Sequence, residues 1–542
     1  MPIPTRHAPI DWLSYCAIGY LIFPCLLFFL WFFQPIPGLM LAATTVLGCW
    51  FLLGNPAALP SAIARPVLIA AAIIATAWVS FGGAGHFVYA NTIDWMVRDA
   101  LLRDLILASG LPAYDFGGDV YLLRAPLAYN LPAAIAGKLT GLYVADKLLW
   151  AWTALGTFLF LALLPFKGKL TAKLAIVMAV PVIFSGMDIV GFMFPDFHWA
   201  AFPLPHTKLD WWLRAPPRVA YFANTTQIFW SPHHVIPGWI ATALLYKHFE
   251  SSSVTRIAPI AFVALPLWSP LTWLGLIPLL ALPFLRRQNL LFTRKEVAGM
   301  LILTPGAIAA ILYLTLGAGS VDFGPTFVDA TNNMTFDKLT TTGKVVWYVV
   351  SYSFFIAVEF AVLALLVRHA IPTPLFYTSV AVLSILPLIS LGPYNDLAMR
   401  ASIPALTMRC IATIRFLQST EARIGSLRLW SVILVLSIGA FTPYFEFYRV
   451  LTRIPWKIVE SQNLVDVMYG SPEPHYMIPK KANFLAPLMR GDTVIPGALD
   501  YSRLCTSRHP ELTARRAVTP AAQRGSLISL ELLDRLKKRE DP

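Results

Sequence analysis

Residues 85–125, GHFVYANTIDWMVRDALLRDLILASGLPAYDFGGDVYLLRA, form a polar, carboxylate-rich stretch between two strongly apolar parts of the chain. If Asn91 caps a helix here, Asp94 falls in the first turn of that helix. One face of the helix is then an apolar stripe made of Val97, Leu101, Leu105 and Ala108. Such a helix is suited to the boundary between lipid and water, where charged side chains can meet a lipid-borne substrate.

Asp94 has two interpretations that this stretch leaves open. An acid near the start of a helix can stabilise the helix by pairing with the cap, and it can equally serve as a catalytic base. The helical spacing also places Asp94 four residues before Arg98, and Asp99 four residues before Arg103. Both are therefore predicted ion pairs.

The composition is that of a polytopic helical membrane protein. Of the 542 residues, 57% are hydrophobic and only 13% are charged, about half the charged share of a soluble domain. The 42 Lys and Arg exceed the 29 Asp and Glu by 13, and this excess is expected in the cytoplasmic loops of a membrane protein. The sequence has no aromatic-basic nucleic-acid pattern and no nucleotide-binding loop, which argues against nucleic-acid partners and ATP-driven transport.

Apolar runs near the roughly 20 residues that span a bilayer recur along the chain. They predict an all-α bundle of about 13 transmembrane helices, with interfacial helices in the outward loops. The predicted helices are about 14–33, 37–54, 67–84, 145–166, 174–194, 231–247, a hairpin of two short helices in 257–285, then 296–316, 345–367, 375–392, 402–418 and 429–448.

By this topology, acids, imidazoles and an arginine from separate segments belong to the outward face, which indicates a site there. They are Asp94, Asp99, Asp188, His198, His206, His233, His234, Asn395, Asp396 and Arg400. Plainer interpretations stay open, because polar residues collect at membrane faces. Asp188 and the two adjacent histidines would then be solvated helix ends, Asn395–Asp396 a helix cap, and the arginine a headgroup anchor.

The arrangement resembles the GT-C superfamily of membrane glycosyltransferases, which use polyprenyl-phosphate sugars. The resemblance covers roughly residues 67–450, which would form the catalytic domain, between an N-terminal transmembrane hairpin in 1–66 and a polar, extracytoplasmic tail in 451–542. It is carried by TIDWMVRDALLRDL, PLAYNLPAAIAGKLTG, FSGMDIVG, FANTTQIFWSPHHVIPGW, the hairpin around WSP, and NDLAMRASIPAL. Asp94 is followed by Trp95 rather than by a second acid, so metal dependence stays open.

The resemblance implies an inverting transfer of a sugar from a polyprenyl-phosphate carrier to a glycan or lipid-linked acceptor. The site would lie on the outer face of a bacterial cytoplasmic membrane. Asp94 would be the general base, and Arg98, Arg400 or His234 would hold the phosphate. Asp188 would orient the acceptor or, with a histidine, hold a divalent metal. The remaining predicted substrate contacts are Asp99, His233, Asn395 and Asp396.

Two other functions remain open at this stage. A polysaccharide polymerase or ligase would share the carrier lipid and rely on arginines in outward loops, such as Arg214, Arg218 and Arg400. A transporter or flippase of lipid-linked glycans would carry charged residues at mid-membrane, as Glu359 does, together with internal repeats.

Overall fold

The computed structural model describes residues 10–54, 63–88, 93–116, 119–193, 209–211, 219–286, 292–315, 323–327, 340–391, 395–453, 455, 457–460, 462–468, 476–480, 485–491 and 493–495. This part of the chain is mostly helical with little sheet. Seven helices within it are long and apolar enough to cross a membrane, and five further apolar helices are shorter. The fold is thus that of a membrane protein, while the predicted count of 13 crossings is not established.

The helices are numbered in chain order. They are α1 Trp12–Phe32, α2 Pro35–Leu53, α3 Arg65–Ser80, α4 Ile93–Leu107, α5 Leu131–Thr140, α6 Leu142–Leu163, α7 Ala172–Ile183, α8 Asp188–Met193, α9 Asn224–Trp230, α10 Pro232–His248, α11 Val254–Ala264, α12 Pro270–Arg286, α13 Arg294–Thr315, α14 Thr341–Ile356, α15 Val362–Val367, α16 Thr373–Ile385, α17 Asp396–Ala401, α18 Ile403–Leu417, α19 Leu427–Gly439, α20 Phe441–Thr452 and α21 Leu464–Val467.

Most predicted helices are present, but several are interrupted. The two short helices predicted around WSP are present, since α11 leads through a 3-10 turn at Leu265–Leu267 into α12. The predicted helix at 174–194 is divided into α7 and α8, and that at 429–448 into α19 and α20. Between α14 and α15, residues Ala357–Ala361 form a π-helical turn that contains Glu359. Such turns displace the side chains that follow them and are frequent at functional sites.

The bundle has two chemically different ends. Asp146, near the start of α6, contacts His86, whereas the backbone amide of Lys167, just beyond the end of α6, donates to Gln418 Oε1 at the end of α18. The 22 residues of α6 span about 33 Å, close to the thickness of a bilayer core. We call the first end the α4 face. The second, which also carries the Lys247–Asp11 ion pair, is the basic face.

A small sheet on the α4 face is the main departure from the all-α prediction. Strands β1 Pro112–Phe116 and β2 Asp119–Leu123 form a hairpin, and tail strands β5 Met477–Pro479 and β6 Thr493–Val494 flank it in the order β5-β2-β1-β6. A second pair joins β3 Phe323–Pro325 to β4 Ile389–Leu391. The described tail strands therefore pack on the α4 face.

Candidate functional site

Helix α4 is anchored by a buried tryptophan. Trp95 is fully buried, and its Nε1–H donates to the carbonyl of Phe229 at 2.8 Å. A Cβ on Gly83 would lie 2.0 Å from the Trp95 ring, so only glycine permits this close approach. The predicted apolar stripe is confirmed in its main part, since Leu101, Leu105 and Ala108 are buried. The buried tryptophan and this stripe therefore fix the apolar face of α4 by packing.

A histidine held between two carboxylates clamps α4 to α6. His86 Nε2 lies 3.0 Å from Asp99 Oδ2, and His86 Nδ1 lies 2.8 Å from Asp146 Oδ1. Burial favours the neutral imidazole, but the two carboxylates outweigh it and raise the pKa of His86 to about 9. The predicted Asp99–Arg103 pair is wrong, because Asp99 is committed to His86 and Arg103 pairs with Asp104 at 2.9 Å.

Arg98 points from α4 towards the two histidines of α10. Its guanidinium lies 5.4 Å from the Trp95 ring centroid, and its Nε lies 3.5 Å from His233 Nδ1. Its Nη1 is buried and has no hydrogen-bond partner among the described residues, so a donor is available for an anion. The His233 and His234 ring centroids are 3.7 Å apart, and His234 Nδ1 bonds to Ser269 Oγ at 2.7 Å.

The start of α17 contributes an arginine–aspartate pair. Asn395 adopts a left-handed conformation with φ +51°, and its Oδ1 accepts from the Ala398 amide at 3.4 Å. Asn395 is thus a helix cap, the plainer of its two interpretations. Arg400 Nη2 lies 2.9 Å from Asp396 Oδ1, and the charge of Arg400 acts on both histidines of α10.

Tyr476, which precedes β5, lies where these groups meet. Burial raises the pKa of Tyr476, the charges of Arg98 and Arg400 oppose that rise, and those of Asp94 and Asp396 add to it. All four charged residues are therefore close enough to act on one tyrosine. In the described chain Asp94 has no ion pair with Arg98, contrary to the prediction, because Arg98 is turned towards α10. The Asp94 carboxylate is partly exposed.

Asp188 belongs to a second cluster, formed by α8, α20 and the π-helical turn. Its Oδ2 accepts from Ser185 Oγ and Thr442 Oγ1, both at 2.6 Å, and the carboxyl group of Glu359 lies beside it. Asp188 is completely buried, at 0% exposure, so its interpretation as a water-exposed helix end is wrong.

The described residues include no group of three or more His, Cys, Asp and Glu side chains that could hold a metal. The hypothesis that Asp188 and a histidine bind a divalent metal is therefore without support there. Asn91, His198, His206, Arg214 and Arg218 lie outside the described residues.

Several residues of the site are absent from the sequence-based candidates. His86 lies in the opening stretch, and its place among the acids is a signal that could have been used. Asp146 and Tyr129 follow in the next segments; the Tyr129 ring lies 6.1 Å from that of His233. Tyr476 had no local signal, because it reaches the site only through the pairing of β5 with β2.

No family model, curated protein or solved structure matches this chain. Its function must therefore be inferred from the chemistry of the site.

Proposed function

We propose that this protein is a membrane glycosyltransferase that transfers a sugar from a polyprenyl-phosphate carrier to an acceptor hydroxyl on the α4 face. The observation that carries the proposal is the convergence of Asp94, Arg98, His233, Arg400 and Tyr476, from α4, α10, α17 and the tail, at one end of a membrane bundle. This cluster combines the carboxylate of Asp94, which can act as a base, with a donor of Arg98 that can bind phosphate. Such a transfer needs both.

In the proposed reaction, the acceptor oxygen attacks the anomeric carbon and inverts it. Asp94 takes the hydroxyl proton as the new glycosidic bond forms, and the bond from the anomeric carbon to the phosphate oxygen breaks with its electron pair passing to the phosphate. Arg98 offers its buried Nη1 donor, and Arg400 adds a second positive charge near the same point. Fixed cations stabilise a departing phosphate without a proton transfer to it.

The surroundings of the site suit a lipid-borne substrate. Large apolar side chains near α4 are exposed, with Phe87 at 45%, Leu107 at 53% and Leu139 at 91%. They would face lipid at the level where a carrier phosphate lies. Because positive charge marks the cytoplasmic side of membrane proteins, we assign the basic face to the cytoplasm and the α4 face to the exterior of a bacterial cytoplasmic membrane.

The test uses purified full-length protein in proteoliposomes with a panel of undecaprenyl-phosphate hexoses and pentoses labelled in the sugar. Asp94→Asn is expected to lower the rate of sugar transfer by about a hundredfold or more, the usual worth of a general base. Asp115→Asn, at an exposed position in β1, is the matched control and is expected to keep wild-type activity. Full transfer by Asp94→Asn would remove Asp94 from the mechanism.

A transporter or flippase of lipid-linked glycans is the second candidate, supported by buried charge within the bundle. The Asp188–Glu359 contact and Arg409, which is 1% exposed inside α18, are typical of polar pathways through membranes. Translocation of a labelled lipid-linked glycan without a new glycosidic bond, abolished by Asp188→Asn and not by Asp94→Asn, would favour this candidate. Formation of long polymers would instead favour the polymerase or ligase.

A further inference from the structure

A cavity of about 330 Å³ lies on the basic face, between the start of α7 and the end of α18. Four cationic side chains line it, together with a few polar and apolar neighbours. The cationic residues are Lys167, Lys169, Lys173 and Arg415. Its position at the end of α6 opposite to Asp146 separates it from the candidate active site by about the thickness of a bilayer core.

The positive charge of this cavity is uncompensated. Within the described part of the chain, none of the four cationic side chains lies within ion-pair distance of a carboxylate, and Arg415 Nε is buried without a hydrogen-bond partner. The N-terminus of α7, capped by Thr171, also borders the cavity and adds the positive end of a helix dipole. Four like charges around one space repel each other, so an anion there would stabilise the fold.

We propose that this cavity binds the phosphate headgroup of an anionic phospholipid from the leaflet at the basic face. Lysine ammonium groups and the arginine fork both suit phosphate oxygens. Basic pockets between membrane helices at this level are suited to anionic headgroups. The proposal does not depend on the proposed glycosyltransferase activity.

Two features favour a lipid headgroup over a free phosphate ion. The volume of about 330 Å³ falls in the range of sites for organic molecules and exceeds the need of a single small ion. The wall of the cavity also includes the apolar Leu174 and Val177, and the adjacent Ile176 is 72% exposed on α7. A headgroup in the cavity would thus leave its acyl chains beside an apolar helix surface.

The test is a lipid titration of delipidated full-length protein, followed by native mass spectrometry. The probes are phosphatidylglycerol, phosphatidylcholine and inorganic phosphate. We expect wild-type protein to bind one phosphatidylglycerol in preference to phosphatidylcholine. Each of Lys169→Gln, Lys173→Gln and Arg415→Gln should weaken this first binding about fivefold, the equivalent of ~1 kcal/mol for each basic residue near an anionic lipid.

Lys295→Gln is the matched control, because Lys295 lies on the same face outside the cavity, 4.9 Å from the Trp50 ring. It should bind phosphatidylglycerol as the wild type does. The three lysines of the cavity are exposed, so their variants are expected to fold, and unchanged thermal unfolding in detergent checks this. Equal binding of the two lipids, or wild-type affinity in a Lys167→Gln/Lys169→Gln/Lys173→Gln variant, would overturn the proposal. Inorganic phosphate binding as tightly as phosphatidylglycerol would overturn the lipid assignment.

Discussion

Replacing His86 by Asn tests the clamp that holds α4 on α6. His86 has φ +48°, a left-handed conformation that asparagine tolerates better than most residues. The substitution therefore spares the backbone while it removes the positive charge between Asp99 and Asp146. The clamp should then lose the part of its stability that depends on a protonated imidazole.

The size of this effect follows from the pKa of His86, which the fold raises from 6.5 to about 9. Folding therefore tightens proton binding by His86. This contributes about 3 kcal/mol to the free energy of unfolding, at about 1.4 kcal/mol for each tenfold change in proton affinity. Because the folded pKa is the higher one, the contribution is complete below pH 6.5 and is lost as the pH rises through 9. Roughly half of it remains at pH 8.

The assay is denaturant unfolding of detergent-solubilised protein at pH 8 and pH 10. Over this interval the free energy of unfolding of the wild type should fall by about 1.5 kcal/mol more than that of His86→Asn. The control His369→Asn removes an exposed histidine on the basic face and should follow the wild type. Parallel pH profiles for wild type and His86→Asn would refute the charged clamp.

Two further predictions concern the packing of α4 against its neighbours. Gly83→Ala should lower the free energy of unfolding by about 1–3 kcal/mol, because the added Cβ would overlap the Trp95 ring. The control Gly19→Ala, with no heavy atom near the added Cβ, should leave it unchanged. Equal denaturant midpoints for the two variants would contradict this. Burial raises the pKa of Asp104 to about 6, although the hydrogen bonds from Leu464, Tyr114 and Arg103 lower it. The folded state therefore binds this proton more tightly than the unfolded state does. The free energy of unfolding of the whole protein should therefore rise by about 1 kcal/mol from pH 7 to pH 5 through this group. Denaturant unfolding of the wild type and of Asp104→Asn at the two pH values checks this, and equal changes in the two proteins would contradict it.

The sequence predicts the helices well because apolar run length is a local property. It also places Asp94 and Arg98 on one amphipathic helix, and the stripe of Leu101 and Leu105 confirms that helix. Ion pairs are predicted less well, since i,i+4 spacing gives only proximity. Asp99 instead contacts His86, and Arg103 pairs with the adjacent Asp104.

Pairing between strands that are far apart in the chain could not be predicted from the sequence. Strands β5 and β6 are three and two residues long, too short for an alternating pattern to stand out. Their partners lie hundreds of residues earlier, so Tyr476 carries no local mark of its place beside Asp94. The π-helical turn that brings Glu359 to Asp188 is likewise invisible in a uniformly apolar run.

The addition of the tail strands to the β1–β2 hairpin gives the protein a built-in order of biosynthesis. A nascent chain that has inserted the long apolar helices found among the described residues still lacks Tyr476, which follows them in the sequence. The cluster around Asp94 is therefore complete only after β5 has been synthesised and has paired with β2, which is made much earlier.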